Sequence, residues 1–457
     1  MRRFAVAALL LSAALPAHAD DTATAIKLRD AATKGSEAYA IVESLTTEVG
    51  QRLAATEAES RARQWAVAKL TALGFSNVRV EPFDMPAWER GAESLTVISP
   101  FPQKLTVAAL GNSGSTPADG IEADVVRFAT VDALKAAPDA AVKGKIVFLT
   151  HKMMRTQDGS SYGFNGVVRR SGPSIAASKG AAAVIIRSLG TDYHRNPHVG
   201  GTNWADGVAP IAAGALSLPD ADQLDRILAT GKPVRLKIVM TPRSLGTRQS
   251  GNVIGEIPGT SASDEVVLIG GHLDSWDLGT GAIDDGAGVA ITTAAAKLIL
   301  DAKLKPRRTI RVVMFGAEEP GLFGAQAYAV KHANDKHVLV AESDFGADRV
   351  WKLGSNVAPE ALPLIKSMAA VLAPLGIAYD NKNDEGCGSD ISVLTKLGIG
   401  CVEPAQDGTR YFDLHHTPDD TLDKIDRVQL DQNVAAYAVI TWMAANNDVA
   451  FGPVKPH

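Results

Sequence analysis

With 457 residues, 46% hydrophobic and 21% charged, the chain has the apolar content of roughly one to three packed domains and lacks the bias of a disordered or fibrous protein. Its 46 Lys and Arg against 51 Asp and Glu leave a formal charge of -5 with no basic block, which argues against nucleic acid as a partner.

The N-terminus reads as a secretory signal: Arg2-Arg3, an apolar core from Phe4 to Leu15, then small residues at Ala17-His18-Ala19. Residues 1–19 are therefore expected to be removed. The segment is shorter than the about 20 apolar residues of a membrane anchor. The short, Ala-rich leader points to a bacterial protein, secreted or periplasmic, with no membrane anchor after signal removal. Cys387 and Cys401 are the only cysteines. An oxidising compartment permits their pairing, but spacing alone does not bring their Cβ atoms together. The sequence leaves a homodimer open.

From Thr22 to about Leu73 the composition is helical, with Gly74 as a C-cap. Val78 to Glu81 then reads as a strand, so residues 20–92 form the first part of the main domain. Residues 93–245 differ in texture. Short β-rich runs (Leu95 to Ile98, Lys145 to Leu149, Ala183 to Ile186, Val234 to Val239) alternate with small helices at Ser174 to Gly180 and Asp220 to Leu228. This stretch is expected to be an inserted, β-rich domain. Residues 246–457 alternate strand and helix: Val266 to Ile269, Gly286 to Leu300, Thr309 to Phe315, Gly321 to Val330, Val338 to Ala341. That alternation predicts an α/β fold, a mainly parallel (mixed) sheet with helices on both faces.

In open α/β sheets ligands bind beyond the carboxyl ends of the strands. His272, Glu318-Glu319 and Asp344 each follow a predicted strand directly, Asp284 lies in an Asp-Asp-Gly turn, and His416 precedes Thr417 near the C-terminus. Taken singly, each has a bland reading: a satisfied polar His, a turn, a solvated helix start. Three ligand-type residues at successive strand ends make a convergent site the better reading. Imidazole and carboxylate donors without thiolates suit zinc, with cobalt or manganese as substitutes, at a hydrolytic centre. Asp284 is placed to bridge two ions, and two ions can clamp a nucleophile and polarise a carbonyl. Asp274, two residues past His272, is placed to accept the second ring proton of that imidazole. Of the adjacent Glu318 and Glu319, one can ligate and the other can serve as general base; spacing does not say which.

Gly270-Gly271-His272-Leu273-Asp274-Ser275-Trp276-Asp277, Ala317-Glu318-Glu319, Glu342-Ser343-Asp344, His415-His416-Thr417 and, earlier, Trp88-Glu89-Arg90-Gly91 together resemble the co-catalytic di-zinc exopeptidases, which include bacterial zinc aminopeptidases and glutamate carboxypeptidases. The resemblance covers nearly the whole mature chain. It implies two Zn2+ held by His272, Asp284, Glu319, Asp344 and His416, with Asp284 bridging and with His416 favoured over His415. It also implies Glu318 as base, Asp274 as orienter, an Asp284–Asp285 peptide that is often cis, and a protease-associated-like insert. The substrate it implies is a dipeptide or short peptide with free termini, and the alternative is an aminopeptidase requiring only a free N-terminus. Arg410, Tyr411 and Asp413, before His416, offer groups of both signs for recognising a chain end. A catalytically silent binding module on the same scaffold is disfavoured, since the ligand set is complete. Gly386 to Asp390 falls at a substrate-side loop of the family.

Two further motifs mislead. Gly159-Ser160-Ser161-Tyr162-Gly163 has the spacing of a nucleophile elbow but lacks the strand that must run into its first glycine. Gly279-Thr280-Gly281 begins like a dinucleotide loop, yet Asp284 stands where the third glycine belongs and would repel a pyrophosphate.

Overall fold

A computed structural model describes residues 17–455, so the expected signal segment, 1–19, falls largely outside the described residues. The N-terminal helical stretch is three helices, Ala17–Ala32, Ala38–Glu48 and Glu57–Ala72. Gly35 and Gly50, with φ of 132° and 75°, lie in the connections between them. Such values suit glycine, which has no Cβ to clash. The third helix opens on Thr56, whose side chain accepts the Glu59 N–H, and gives way to Gly74 at φ 90°.

The strands are β1 (Ser76–Glu89), β2 (Glu93–Ser99), β3 (Gln103–Leu105), β4 (Val107–Ala109), β5 (Ile121–Phe128), β6 (Ile146–Leu149), β7 (Ala183–Arg187) and β8 (Ala213–Leu216). They continue with β9 (Arg235–Met240), β10 (Arg243–Ile257), β11 (Ala262–His272), β12 (Arg308–Phe315), β13 (Lys336–Glu342), β14 (Val350–Asn356), β15 (Ala378–Tyr379) and β16 (Cys401–Gln406). They form two mixed sheets, ordered β1-β10-β12-β11-β13-β16-β14-β15 and β3-β2-β9-β5-β6-β7-β8-β4. In the first, β12, β11, β13 and β16 run parallel, while β10 and β14 pair antiparallel at either side of that block. The short strand read at Val78 to Glu81 is the start of a 14-residue β1 paired along its length with β10.

Alternation along the central strands explains the layering. Val267 and Ile269 of β11 and Ile310, Val312 and Met314 of β12 face one buried cluster, shared with helices Ala287–Asp301 and Arg427–Ala445. Val266, Leu268, Val313 and Phe315 face the other, with Ala325 and Tyr328 of helix Phe323–Lys331. Both faces are covered, so β12 is buried at every position. The second sheet has its own cores: Val147, Val184 and Ile186 on one side, Ile146, Phe148 and Ile185 on the other. Its helices include Gly172–Ser178 and Leu218–Leu228, where the sequence places small helices among the strands. Among the described residues no helix is long and apolar enough to cross a membrane.

Candidate metal centre

β12, β11 and β13 are parallel neighbours, and in register His272 stands beside Phe315 while Gly270 stands beside Glu342. Their carboxyl ends therefore deliver His272, the Glu318-Glu319 turn and Asp344 to one edge of the sheet. The Asp284 turn is fixed by buried polar groups on both sides. Asp420 accepts the N–H groups of Ile283 (2.6 Å) and Asp284 (3.3 Å), and Asp285 accepts those of His272 and Gly288, each at 2.9 Å. Arg52, fully buried, donates to the carbonyls of Leu273, Thr280 (2.7 Å) and Gly281 (2.8 Å) and so holds the loop from below. The Asp284–Asp285 peptide is cis.

The geometry divides the five named residues into two groups joined by Asp284. His272 Nε2 lies 3.1 Å from Asp284 Oδ1 and 3.4 Å from Asp344 Oδ1. His416 Nε2 lies 3.1 Å from Asp284 Oδ2 and 2.9 Å from Glu319 Oε2. One carboxylate thus turns one oxygen to each imidazole. The second nitrogen of each ring faces a carbonyl: His272 Nδ1 that of Asp274 at 2.9 Å, His416 Nδ1 that of Val199 at 3.1 Å, with Arg169 Nη1 also 3.1 Å from the latter nitrogen. A ring donating through Nδ1 leaves the Nε2 lone pair free to ligate.

These donors fit divalent cations. A tetrahedral zinc site with roughly 2.0–2.1 Å bonds has edges of roughly 3.3 Å, close to the donor separations in each group. Asp284 Oδ2 and Glu319 Oε1 are buried without a hydrogen bond, and several carboxylates crowded out of water are costly unless cations compensate them. The electrostatics agree. Burial by itself lowers His272, but the carboxylates of Asp344, Asp274 and Asp284 hold it well above the usual imidazole range. Burial likewise lowers His416, and Glu319 foremost holds it well above that range. Burial, with Asp344, Glu319 and Asp274 nearby, pushes the Glu318 carboxyl well up. Burial raises Glu319 to about 6 against the pull of His416.

The expected partnership of the Asp274 carboxylate with His272 takes another form. The ring bonds to the Asp274 carbonyl, and the carboxylate stands 3.7 Å away. Its hydrogen bonds are accepted instead from the backbone N–H groups of Glu318 (3.0 Å) and Glu319 (3.3 Å), which fixes the Glu turn. Two adjacent donors at the start of a turn outbid one ring N–H that a closer carbonyl already satisfies. Arg410 and Asp413 also differ from expectation. Arg410 pairs with Asp348 and Asp413 with Arg155, and neither lines the cleft, whereas Tyr411 does.

The cleft over the cluster has a volume of about 460 Å³. Its far wall comes from residues 160–203, with Tyr162, Arg169, Arg170 and Asn203. Arg169 donates to the Val199 carbonyl at 2.7 Å, and among the described residues neither Arg169 nor Arg170 has a carboxylate partner within ion-pair distance. His198 Nε2 meets His415 Nδ1 at 3.0 Å, and His415 Nε2 reaches Asp284 Oδ2 at 3.3 Å. Sequence reasoning missed Arg169, Arg170, His198 and Asn203, because none stands in a recognisable pattern. Tyr162 sits inside the segment dismissed as a false nucleophile elbow. The two motifs at Trp88 and Trp276 meet: Arg90 holds Asp277 through two 2.8 Å bonds, and the indoles pack edge to face with centroids 6.3 Å apart. Cys387 and Cys401 form a disulfide with Cα atoms 6.1 Å apart.

A buried carboxylate and imidazole cluster at the carboxyl edge of a mixed α/β sheet is the arrangement of a metallohydrolase. The profile of peptidase family M28 matches residues 252–441. Carboxypeptidase Q of Mus musculus is 32% identical over 415 residues, covering 90% of this chain and 86% of that protein. Aminopeptidase YwaD of Bacillus subtilis is 23% identical over 418 residues, covering 88% and 83%. Among solved structures, a peptidase M28 precursor from Shewanella amazonensis superposes with a TM-score of 0.94 at 47% identity, over 96% of this chain and 100% of that one. A zinc aminopeptidase from Bacillus subtilis shares the fold, with a TM-score of 0.63 at 20% identity over 89% and 93%. The chain belongs to peptidase family M28 and is a metallo-exopeptidase acting on peptides.

Proposed function

We propose that the protein is a secreted or periplasmic di-zinc exopeptidase that hydrolyses dipeptides or short peptides with free termini. One ion is assigned to His272, Asp344 and Asp284, the other to His416, Glu319 and Asp284. Bound there, two cations polarise a peptide carbonyl and acidify water. The remaining work falls to side chains. Glu319 faces His416, leaving Glu318 beside it as the cleft-lining carboxylate free to take the proton of attacking water and return it to the leaving amine. Asp274 positions Glu318 and Glu319 through their backbone N–H groups. His272 and His416 are oriented by the carbonyls of Asp274 and Val199.

The observation that favours recognition of a free C-terminus is the pair of guanidinium groups at Arg169 and Arg170, which line the cleft without a carboxylate of their own. Guanidinium is well matched to a carboxylate. Residues 93–245 are read as an inserted, protease-associated-like domain that supplies this wall; the separate sheet and the cleft residues Tyr162, Arg169, Arg170 and Asn203 support that reading. The aminopeptidase reading draws on the same cluster of carboxylates and on the relatives named aminopeptidase.

Chromatography of digests of an unblocked dipeptide, its N-acetyl form and its C-terminal amide tests the assignment. Hydrolysis of the unblocked dipeptide with loss on amidation is expected. Equal rates on dipeptide and amide, with loss on acetylation, make the enzyme an aminopeptidase.

A further inference from the structure

A second cavity, of about 380 Å³, adjoins the cleft and shares Asp344, Phe345 and Ser389 with it. It joins the cleft at Asp344, and none of Arg169, Arg170 and Asn203 lines it. Its walls come from β14, β16, the end of β13 and the loop of residues 385–389, which the Cys387–Cys401 disulfide ties to β16, with Asp158 from the opposing side. The rings of Phe345 and Trp351 supply apolar surface.

The charge in this cavity is unbalanced. Lys352 is already engaged by Glu385 and, at 3.4 Å, by Asp380. Glu403 and Glu342 have no cation within ion-pair distance among the described residues. Glu403 accepts the Cys387 N–H at 3.0 Å. Glu342, only 4% exposed, accepts the Ile391 N–H at 3.1 Å through Oε2, while its Oε1 is buried with no partner. Burial, with Glu385 nearby, raises Glu403 to about 7 against the pull of Lys352. A buried carboxyl lacking a cation resists ionisation, and an entering cation relieves that cost.

We propose that this cavity receives the side chain of the N-terminal residue of the peptide, and that Glu403, with Glu342 behind it, selects a cationic side chain, lysine or arginine. The proposal rests on the exopeptidase reading above. With the carboxylate end of a dipeptide at Arg169 and Arg170 and the scissile carbonyl at the metal cluster, the residue reaching past Asp344 is the N-terminal one. Its methylenes meet Phe345 and Trp351, and its charged end meets the two uncompensated carboxyls. An amphipathic stem with a cationic tip matches that lining.

The test compares lysyl-alanine with norleucyl-alanine, which keeps the stem and deletes the ammonium. The zinc-loaded enzyme is expected to show kcat/KM about tenfold or more higher for the lysyl peptide. Glu403→Gln, which can still accept the Cys387 N–H, is expected to remove most of that difference. Equal or faster hydrolysis of norleucyl-alanine by the wild type overturns the subsite and leaves the exopeptidase reading intact. If neither dipeptide is cleaved, that reading fails, and titration calorimetry with free L-lysine and L-norleucine decides the subsite. Tighter lysine binding, weakened in Glu403→Gln, supports it; equal binding overturns it. Should Glu403→Gln fail to fold, the wild-type comparison decides alone.

Discussion

The two sides of the cleft are built on different principles. On one side His272, Glu318, Glu319 and Asp344 follow the ends of adjacent paired strands whose C-terminal halves are buried. The Asp284 turn beside them is clamped by Arg52, Asp285 and Asp420. On the other, Tyr162, Arg169 and Arg170 ride on helices of six and four residues, and His198 and Asn203 on loops. A reacting centre tolerates little positional error and benefits from rigid elements, whereas recognition groups can sit on connecting segments. Under the proposed function, bond breaking falls to the strand ends and chain-end selection to the opposing wall.

The most severe way to break this division is removal of metal. Chelation is expected to abolish hydrolysis, with zinc or cobalt restoring it and elemental analysis of the reloaded protein giving about two ions per chain. Full activity in chelator, with no bound transition metal, would remove the strand-end side from the chemistry. Next in size is Glu318→Gln, expected to retain metal and lose about 10²–10⁴ in rate. If metal is lost on Glu318→Gln and kept on Glu319→Gln, the roles of the two are exchanged.

A smaller effect is expected at Asp274, which touches the reacting groups only through the Glu turn and His272. Asp274→Ala should cost about 10–100-fold in activity or metal affinity, read as kcat together with zinc content. A change confined to KM would place it in substrate binding instead. The smallest effect sharpens the opposing wall. Arg170→Ala is expected to raise KM for an unblocked dipeptide by about tenfold, the scale of one charge-assisted hydrogen bond, with little change in kcat. Hydrolysis of the C-terminal amide should not respond. An equal effect on dipeptide and amide would mean that Arg170 shapes the cleft without reading a carboxylate.

How much of this was legible follows the same line. Val266 to Ile269, Thr309 to Phe315 and Val338 to Ala341 announce buried strands by composition, and the polar residues directly after them stand out against the apolar runs. Asp284 and His416 stand in Asp-Asp-Gly and His-His-Thr, ordinary turn sequences taken alone, and the preference for His416 over His415 needed the resemblance. Asp274 shows the limit of spacing. Its position two residues past His272 implied contact, but which of its oxygens meets the ring depends on where the Glu turn arrives from β12. Arg410 and Asp413 likewise looked available in sequence and are consumed by Asp348 and Arg155, 62 and 258 residues away.

Local pattern was therefore sufficient for the α/β class, the strand ends and the donor types, because apolar periodicity and short-range turn chemistry are encoded within a few residues. Tertiary structure alone decided that Asp284 turns one oxygen to His272 and the other to His416. It also decided that Arg169 and His198 reach His416 and His415 from 247 and 217 residues away, and that Cys387 meets Cys401. Those contacts join segments whose separation in sequence bears no period. The contacts of Arg169 and His198 exist because the segment that carries them lies against the carboxyl edge of the first sheet, and no local signal encodes that docking.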